Sequence, residues 1–426
     1  MTEDFLQYIW QHRLFLPEGK HTSEGERVEI LQTGQRNTNA GPDFTDVRVQ
    51  IGETLWAGCV EVHLRSSDWE RHGHHNDPAY NNVVLHVVYQ NDADVYNAQR
   101  QLLPVMELHF DQRYFENYNR LILSKEAIVC QDDLSKIDEF TLAAWFERLA
   151  IERLEQKAES IMKVFAATCN NWEETLYRQL ARNFGFSLNA LPFEALSKSL
   201  PLNTLLINKN NLRQIEALLF GQAGMLDDEI KDEYYDELSK EYKYLQKKYN
   251  LKPIDKFLWK FLRLRPINFP TIRIAQFAAL FHQNEHLFSK IIETQSVDDL
   301  EEIFDLQASD YWNSHYQFGK ISPNRTKTFG QTSIRAIIIN TVVPFLFVYG
   351  KLRGKDDFCA RAVNILENIP AERNNILVKW EELGVRNSDA FISQSLLQMY
   401  NEYCITKRCL NCAIGNKIVL YDFSKL

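Results

Sequence analysis

The sequence predicts an α+β protein: a mixed α/β sheet domain over residues 1–130, followed by a long, mostly α-helical region over 131–426. Three observations carry this. Apolar and polar residues alternate at every second position as far as residue 110, the period of strands with one buried face. From Ile137 onward the apolar positions recur at helical spacing, beginning with Phe140, Ala144, Trp145, Leu149, Ile151, Leu154 and Ala158. The composition, 45% hydrophobic and 25% charged with 16 Gly and 12 Pro in 426 residues, excludes a disordered, collagen-like or low-complexity chain. At about 150 residues per domain the helical region has room for two subdomains, 131–250 and 251–426.

The first element is a short helix over Glu3–Gln11. Strands follow at Arg27–Gln32, Asp46–Ile51, Leu55–Leu64, Asn82–Gln90 and Leu103–Phe110. Gly34, the NTNAGPD run ending at Asp43, Gly52-Glu53 and the NDPAYNN stretch from Asn76 supply the turns. Connections this short fit a curled antiparallel or mixed sheet. Helices are predicted at 172–183, 193–198, 210–219, 227–249, 254–263, 271–282, 285–294, 297–304, 333–350, 356–367, 372–382 and 388–402, punctuated by Pro201, Pro253, Pro266, Pro270 and Pro323. Strand-like alternation returns only at Lys417–Tyr421. The longest apolar run, Ile337–Tyr349, is shorter than the roughly 20 residues of a membrane span and reads as a buried core helix; no membrane partner is expected.

The N-terminal MTEDFLQYIWQHRLF lacks the basic start, apolar core and small-residue cleavage site of a secretory signal. Seven cysteines in so long a chain do not form a paired disulfide framework, so a reducing cytoplasmic setting is expected. Net charge is −9, distributed as −8 over residues 1–130, −5 over 131–250 and +4 over 251–426. Carboxylates concentrated in the front segment suit a divalent cation better than a phosphate.

The segment GPDFTDVRVQIGETLWAGCVEVHL puts Asp43 at the mouth of a strand, then a hairpin, then a strand carrying Glu61 and His63. Side chains two apart on a strand share a face, so Glu61 and His63 project together, and the returning hairpin brings Asp43 alongside. Two carboxylates and an imidazole are donors for Mg²⁺ or Mn²⁺, an ion that polarises a phosphoryl oxygen and acidifies a bound water for in-line attack. Five of the eleven histidines, His63, His72, His74, His75 and His86, crowd into residues 63–86 beside Asp68 and Asp77. A zinc site built from these histidines and Asp77 is the competing metal reading. A plainly structural reading makes Trp69 and Tyr80 core anchors, buries His86 in a strand and leaves HGHH as a solvated turn.

The order helix, strand, Pro42-Asp43, hairpin, Glu61-Val62-His63 resembles the core of the PD-(D/E)xK nuclease superfamily, with His63 where that superfamily usually has lysine. Its very-short-patch mismatch repair endonucleases carry an Asp-Phe pair, a strand ending in His, and a Trp followed by a histidine-rich stretch. Pro42-Asp43-Phe44, His63, Trp69 and His72-Gly73-His74-His75 are similar in order. The resemblance implies that Asp43 is a metal ligand and that His63 with His72 or His74 activates water. Over nearly its whole length, through NAGPDF, VEVH, DW-two-HGHH, D-two-Y and RPINFPTIRIAQ, the chain also resembles a bacterial domain-of-unknown-function family, which implies no reaction.

Near the C-terminus YCITKRCLNCAIG spaces Cys404, Cys409 and Cys412 as C-x₄-C-x₂-C. Structural zinc or a [4Fe–4S] cluster takes four thiolates, so Cys130 or Cys359 would have to approach. Certain PD-(D/E)xK nucleases pin their catalytic domain with one remote cysteine and a C-terminal trio, and this resemblance points to Cys130. The alternative is a set of reduced cysteines at a helix end capped by Gly415; Cys59 and Cys169 read as core residues. Arg263, Arg265 and Arg273, with Arg325, Lys327 and Arg335, are candidates for nucleic-acid phosphate contacts near helix starts, or for capping and ion pairs between packed helices.

These features point first to a metal-dependent nuclease-like protein in which Asp43 and Glu61 hold the ion and His63 with His72 or His74 handles the proton. The alternatives are a non-catalytic nucleic-acid-binding or scaffold protein on a degenerate nuclease fold, and a zinc-dependent hydrolase of a small substrate.

Overall fold

The computed structural model describes residues 1–17 and 20–422. Helix α1 (Glu3–Gln11), capped by the Thr2 side chain, buries Phe5, Leu6, Ile9 and Trp10. The sheet follows: β1 (Val28–Gln32), β2 (Gln35–Arg36), β3 (Phe44–Ile51), β4 (Thr54–Arg65), β5 (Val83–Gln90) and β6 (Val105–Glu107). Their order is β1-β3-β4-β5-β6, with β2 also beside β3. β1, β2 and β4 run antiparallel to β3, whereas β5 is parallel to β4 and β6 to β5. The sheet is therefore mixed, and the last strand is shorter than the alternation over Leu103–Phe110 implies.

Two local rules account for this path. Gly52, at φ +59°, turns the chain between Ile51 and Thr54, which pair directly across the β3–β4 hairpin. A parallel β4–β5 pair instead requires a crossover. It is made of helix α2 (Asp68–Arg71) and two 3₁₀ turns, His74–Asn76 and Pro78–Tyr80. The histidine-rich stretch is this crossover, so it lies over the sheet rather than at a free tip.

The sheet belongs to a compact unit of residues 1–145 and 399–426; residues 146–398 form a second unit. The sequence expectation had kept the C-terminal stretch with the helical region. Instead helix Ala413–Leu420 returns to α3 (Gln112–Leu123), where Asn117 Nδ2 donates to the carbonyls of Val419 (3.1 Å) and Tyr421 (3.0 Å). This helix also replaces the strand expected at Lys417–Tyr421: Ile414, Ile418 and Val419 form one buried helical stripe that a two-residue period misreads.

The second unit is helical, apart from a small hairpin of His315–Gln317 and Lys320–Ile321 that the sequence reading lacked. One apolar core runs from Leu154 to Ala390, without a break at 250/251. The helix expected at 254–263 is absent: only a 3₁₀ turn, Lys256–Leu258, forms there, and Arg263 adopts a positive φ of 65°. The helix expected at 193–198 is longer, Phe186–Ser199, kinked at Asn189, whose side-chain amide donates to the Lys260 carbonyl (2.9 Å) and accepts from the Lys260 N–H (2.8 Å).

Residues Gln331–Arg353 form a 23-residue helix containing an 18-residue window of mean hydropathy 1.6, long and apolar enough to cross a membrane, with 72% of that window buried inside the protein. Pro344 cannot donate to the Asn340 carbonyl, and a π-helical turn at Ile338–Val342 absorbs the mismatch. Asn183 Nδ2 donates to the freed carbonyl at 3.2 Å.

Helices Leu212–Gln222 and Glu233–Tyr249 meet where Gly221 faces Tyr242, so closely that a Cβ on Gly221 would stand 2.1 Å from the ring. Gly221→Ala gains about 1 kcal/mol in helix propensity. Overpacking a rigid buried ring costs about 1–3 kcal/mol or more, and at so short a separation the clash dominates. The variant is expected to have a lower urea midpoint; an unchanged midpoint would mean the two helices separate freely.

Candidate functional site

β4 is central and covered on both faces, so Val60, Glu61, Val62 and His63 are all buried. Alternation sends the two valines to one face and Glu61 with His63 to the other. Register then supplies the neighbours. Phe44 pairs with Val60, which sets Asp43 beside Glu61: the Asp43 N–H donates to Glu61 Oε2 (3.0 Å) and the Val62 N–H to Asp43 Oδ2 (3.0 Å). His86 pairs with Glu61 across the parallel ladder, and its Nε2 lies 2.9 Å from His63 Nδ1.

The crossover adds two more imidazoles. His72 Nδ1 lies 3.1 Å from His63 Nε2, and Glu61 Oε1 lies 3.3 Å from His74 Nε2 and 3.5 Å from His63 Nε2. His74 is stacked on Tyr80 with ring centroids 3.8 Å apart, and Trp69 packs against both His74 and His86. Trp69 is fully buried and donates from Nε1 to the Tyr96 carbonyl at 3.0 Å, anchoring the crossover. Among the described residues, one set of His, Cys, Asp or Glu side chains has its ligand atoms all within 4.8 Å of one another: His63, His72 and His74. His63 and His74 are buried, while His72 is exposed and opens the cluster to solvent. His75, expected to share this chemistry, instead lies against its neighbour Asn76 (2.6 Å).

Burial governs the charges here. It pushes the His63 imidazolium down to about 2, helped by His86, His72 and His74, and that of His86 down to about 3, so both rings are neutral at neutral pH. Burial, followed by repulsion from Glu61, pushes the Asp43 carboxyl up to about 7, against the opposing pull of the Val62 N–H and the Gln7 side chain. The Tyr80 hydroxyl goes up to about 12 through burial and the nearby Glu61. The two carboxylates and His63 thus adjoin one another, but the tight ligand cluster is the histidine trio, with Glu61 at its edge and Asp43 behind Glu61.

Sequence reading missed two members on α1. Gln7 bonds Asp43 and accepts from Arg36 Nη2 at 2.6 Å, while burial raises the Glu3 carboxyl against the pull of His72. Their i, i+4 spacing on a helix that is otherwise apolar on that face was the available signal. Tyr80, read as a core anchor, and His86, read as a buried strand residue, also touch the cluster.

Cys130, Cys404, Cys409 and Cys412 are all buried in the first unit. Burial raises each thiol, and Cys130 and Cys404 are raised further by the neighbouring cysteines of the set, but no three of the four sulfurs lie within 4.8 Å of one another. Gly415 packs so tightly on this segment that a Cβ there would meet the Cys409 carbonyl oxygen at 2.1 Å. Cys359 lies in the other unit and bonds the Phe347 carbonyl at 3.6 Å. Cys169 is exposed at φ +54°, not a core residue as expected, and Cys59 is half-buried.

The basic candidates separate. Arg263, Arg265 and Arg325 are exposed. Arg335 Nε donates to Glu301 Oε1 at 2.8 Å, and Lys327 is fully buried with Nζ donating to the carbonyls of Asn313 (3.0 Å) and Arg325 (2.8 Å). Arg273 is 6% exposed, out of reach of a nucleic-acid backbone. Arg273 and Lys327 are thus enclosed by the protein, whereas Arg335, partly exposed, is paired with Glu301.

A family described as "Protein of unknown function (DUF2851)" has a model that matches residues 3–375 of the chain. No curated protein and no solved structure matches it.

Proposed function

The chain belongs to that family, and from this premise and the chemistry of its own residues we propose that it is a metal-dependent, nuclease-like phosphodiester hydrolase whose ion is held by His63, His72 and His74. The observation that carries the reading is the convergence of three imidazoles within 4.8 Å, with Glu61 Oε1 at 3.3 and 3.5 Å from two of them. Three nitrogen donors favour Zn²⁺, or Mn²⁺ if Glu61 joins, over the Mg²⁺ expected from a carboxylate-dominated site. Such an ion polarises a phosphoryl oxygen and acidifies a water.

The chain's own groups then have distinct parts. Glu61, oriented by the Asp43 N–H, accepts the water's proton. Asp43, whose carboxyl is pushed up to about 7, is suited to donate a proton to the departing oxygen near neutral pH. His86 orients His63: with His63 Nε2 turned to the cluster, His63 Nδ1–H has His86 Nε2 as its acceptor. Arg263, Arg265 and Arg325, exposed in the second unit, are the basic candidates for contact with a nucleic-acid backbone there. What supports a phosphodiester substrate is the motif order that resembles the PD-(D/E)xK nucleases.

The histidine donors equally suit a zinc-dependent hydrolase of a small substrate, and one screen separates the readings. Chelator-stripped protein is reloaded with Mg²⁺, Mn²⁺ or Zn²⁺ and assayed on single- and double-stranded DNA, RNA, bis(p-nitrophenyl) phosphate and a p-nitrophenyl ester. Cleavage of nucleic acid is the expected result; turnover of the ester alone would move the assignment to a small substrate. Binding of nucleic acid without cleavage under every metal would leave a scaffold and end the hydrolase reading.

For Cys130, Cys404, Cys409 and Cys412 the same reading assigns a bound zinc or iron–sulfur cluster that ties the chain's end to the sheet unit. Bringing together positions so far apart in sequence is where a metal pin stabilises most. Anaerobically purified protein is expected to contain stoichiometric zinc or iron, lost on Cys409→Ser; colourless, metal-free preparations would end the idea.

A further inference from the structure

Arg273 lies in the first turn of the 14-residue helix Pro270–Gln283, in the second unit, and is 94% buried by the complement of its 6% exposure. Among the described residues, every side chain that bonds its guanidinium is neutral: Asn268 Oδ1 (2.7 Å) and Ser333 Oγ (3.0 Å) at Nη2, and Gln276 Oε1 (3.1 Å) at Nη1. Phe186 and Phe329 cover it, with ring centroids 4.6 and 4.7 Å from Cζ. Among the described residues its Nε has no partner. Burial alone moves it, down to about 10, with no carboxylate pulling the other way. Glu301, near the adjacent helix start, is engaged by Arg335 and Gln331.

A buried charge without a counter-ion is costly, and aromatic faces offset only part of that cost. Two further features add positive potential and space. The helix beginning at Gln331 presents Ser333 from its first turn, so two helix N-termini converge on one guanidinium. Beside it lies a cavity of about 240 Å³ lined by Phe184, Phe186, Leu188, Leu264, Asn268 and Ser333 among others.

We propose that this cavity is a binding site for a small carboxylate with an apolar or aromatic body, its anion paired with Arg273 and its body lying among the phenylalanines and leucines. The volume admits one ring-sized group and excludes a nucleotide. Asn268, Gln276 and Ser333 hold the planar guanidinium, with its permanent charge, in one orientation that the point charge of a lysine ammonium does not reproduce, so arginine rather than lysine is required. The site lies in the second unit and does not depend on the hydrolase reading.

Benzoate and phenylacetate serve as probes, benzamide as the neutral isostere and inorganic phosphate as the bodiless anion, with the full-length protein studied by calorimetry and thermal shift. Benzoate or phenylacetate is expected to bind and raise the melting temperature, with benzamide at least tenfold weaker and phosphate without effect. Arg273→Lys is expected to lose at least tenfold in affinity for the carboxylate. Equal binding of benzamide, or no binding of either carboxylate, would overturn the proposal. Should Arg273→Lys fail to fold, the benzoate–benzamide comparison on the wild-type protein decides alone.

Discussion

Replacing Glu61 by glutamine is expected to leave the ion bound and to slow hydrolysis by about 10²–10⁴-fold, the usual contribution of a general base. His74→Ala is expected to act differently, losing metal from the protein and activity with it, because it removes one of three donors. Metal content by elemental analysis, measured beside kcat, separates the two effects. The pair works as a test because Glu61 Oε1 stands 3.3 Å from His74 Nε2 yet lies outside the set of mutually close ligand atoms. Full activity in Glu61→Gln would remove the base assignment, and retention of metal in His74→Ala would remove the trio as the ligand set.

The second large effect is on stability. In chelator-treated protein, His63 and His86 stay neutral down to about 2 and about 3, whereas in the unfolded chain each takes up a proton near the ordinary value of 6.5. Below that value the unfolded state holds more protons, so their contribution is complete above pH 6.5 and is lost as pH falls toward the folded values. From pH 6.5 to 5 the loss amounts to about 2 kcal/mol for each histidine. Urea midpoints at pH 7.5, 6 and 5 measure it, and His86→Gln is expected to show about half the slope. A flat profile over this range would mean that water or a carboxylate already accommodates the charged rings.

Much of the sheet was legible in the sequence because its signals are local. Two-residue alternation marked β1, β3, β4 and β5 to within a residue or two, and Gly52-Glu53 marked the tight hairpin. The capped and amphipathic N-terminal helix was legible for the same reason. Errors fell where long-range packing overrides local preference. Residues 254–263 have an apolar pattern but only a single 3₁₀ turn, and the small C-terminal stripe of Ile414, Ile418 and Val419 read as a strand.

The candidate site was partly legible. Glu61 and His63 share a face by alternation, and the sequence order brought Asp43 beside them, as the hydrogen bonds to Glu61 and from Val62 reflect. The histidines stood as a competing zinc set in the sequence, but that His72 and His74 join His63 more closely than Asp43 does was not decided there. It depends on β5 being parallel to β4, which forces a crossover back over the sheet.

By itself, then, the sequence determined the class of the protein, the strands that carry Glu61 and His63, and the inventory of donors, because periodicity and residue chemistry act over a few neighbours. Only the tertiary structure decided which donors meet and that Arg273 is buried without a counter-ion among the described residues. Those outcomes turn on register, crossover and helix packing, where contacts between residues far apart in the chain choose among arrangements that local pattern leaves equivalent.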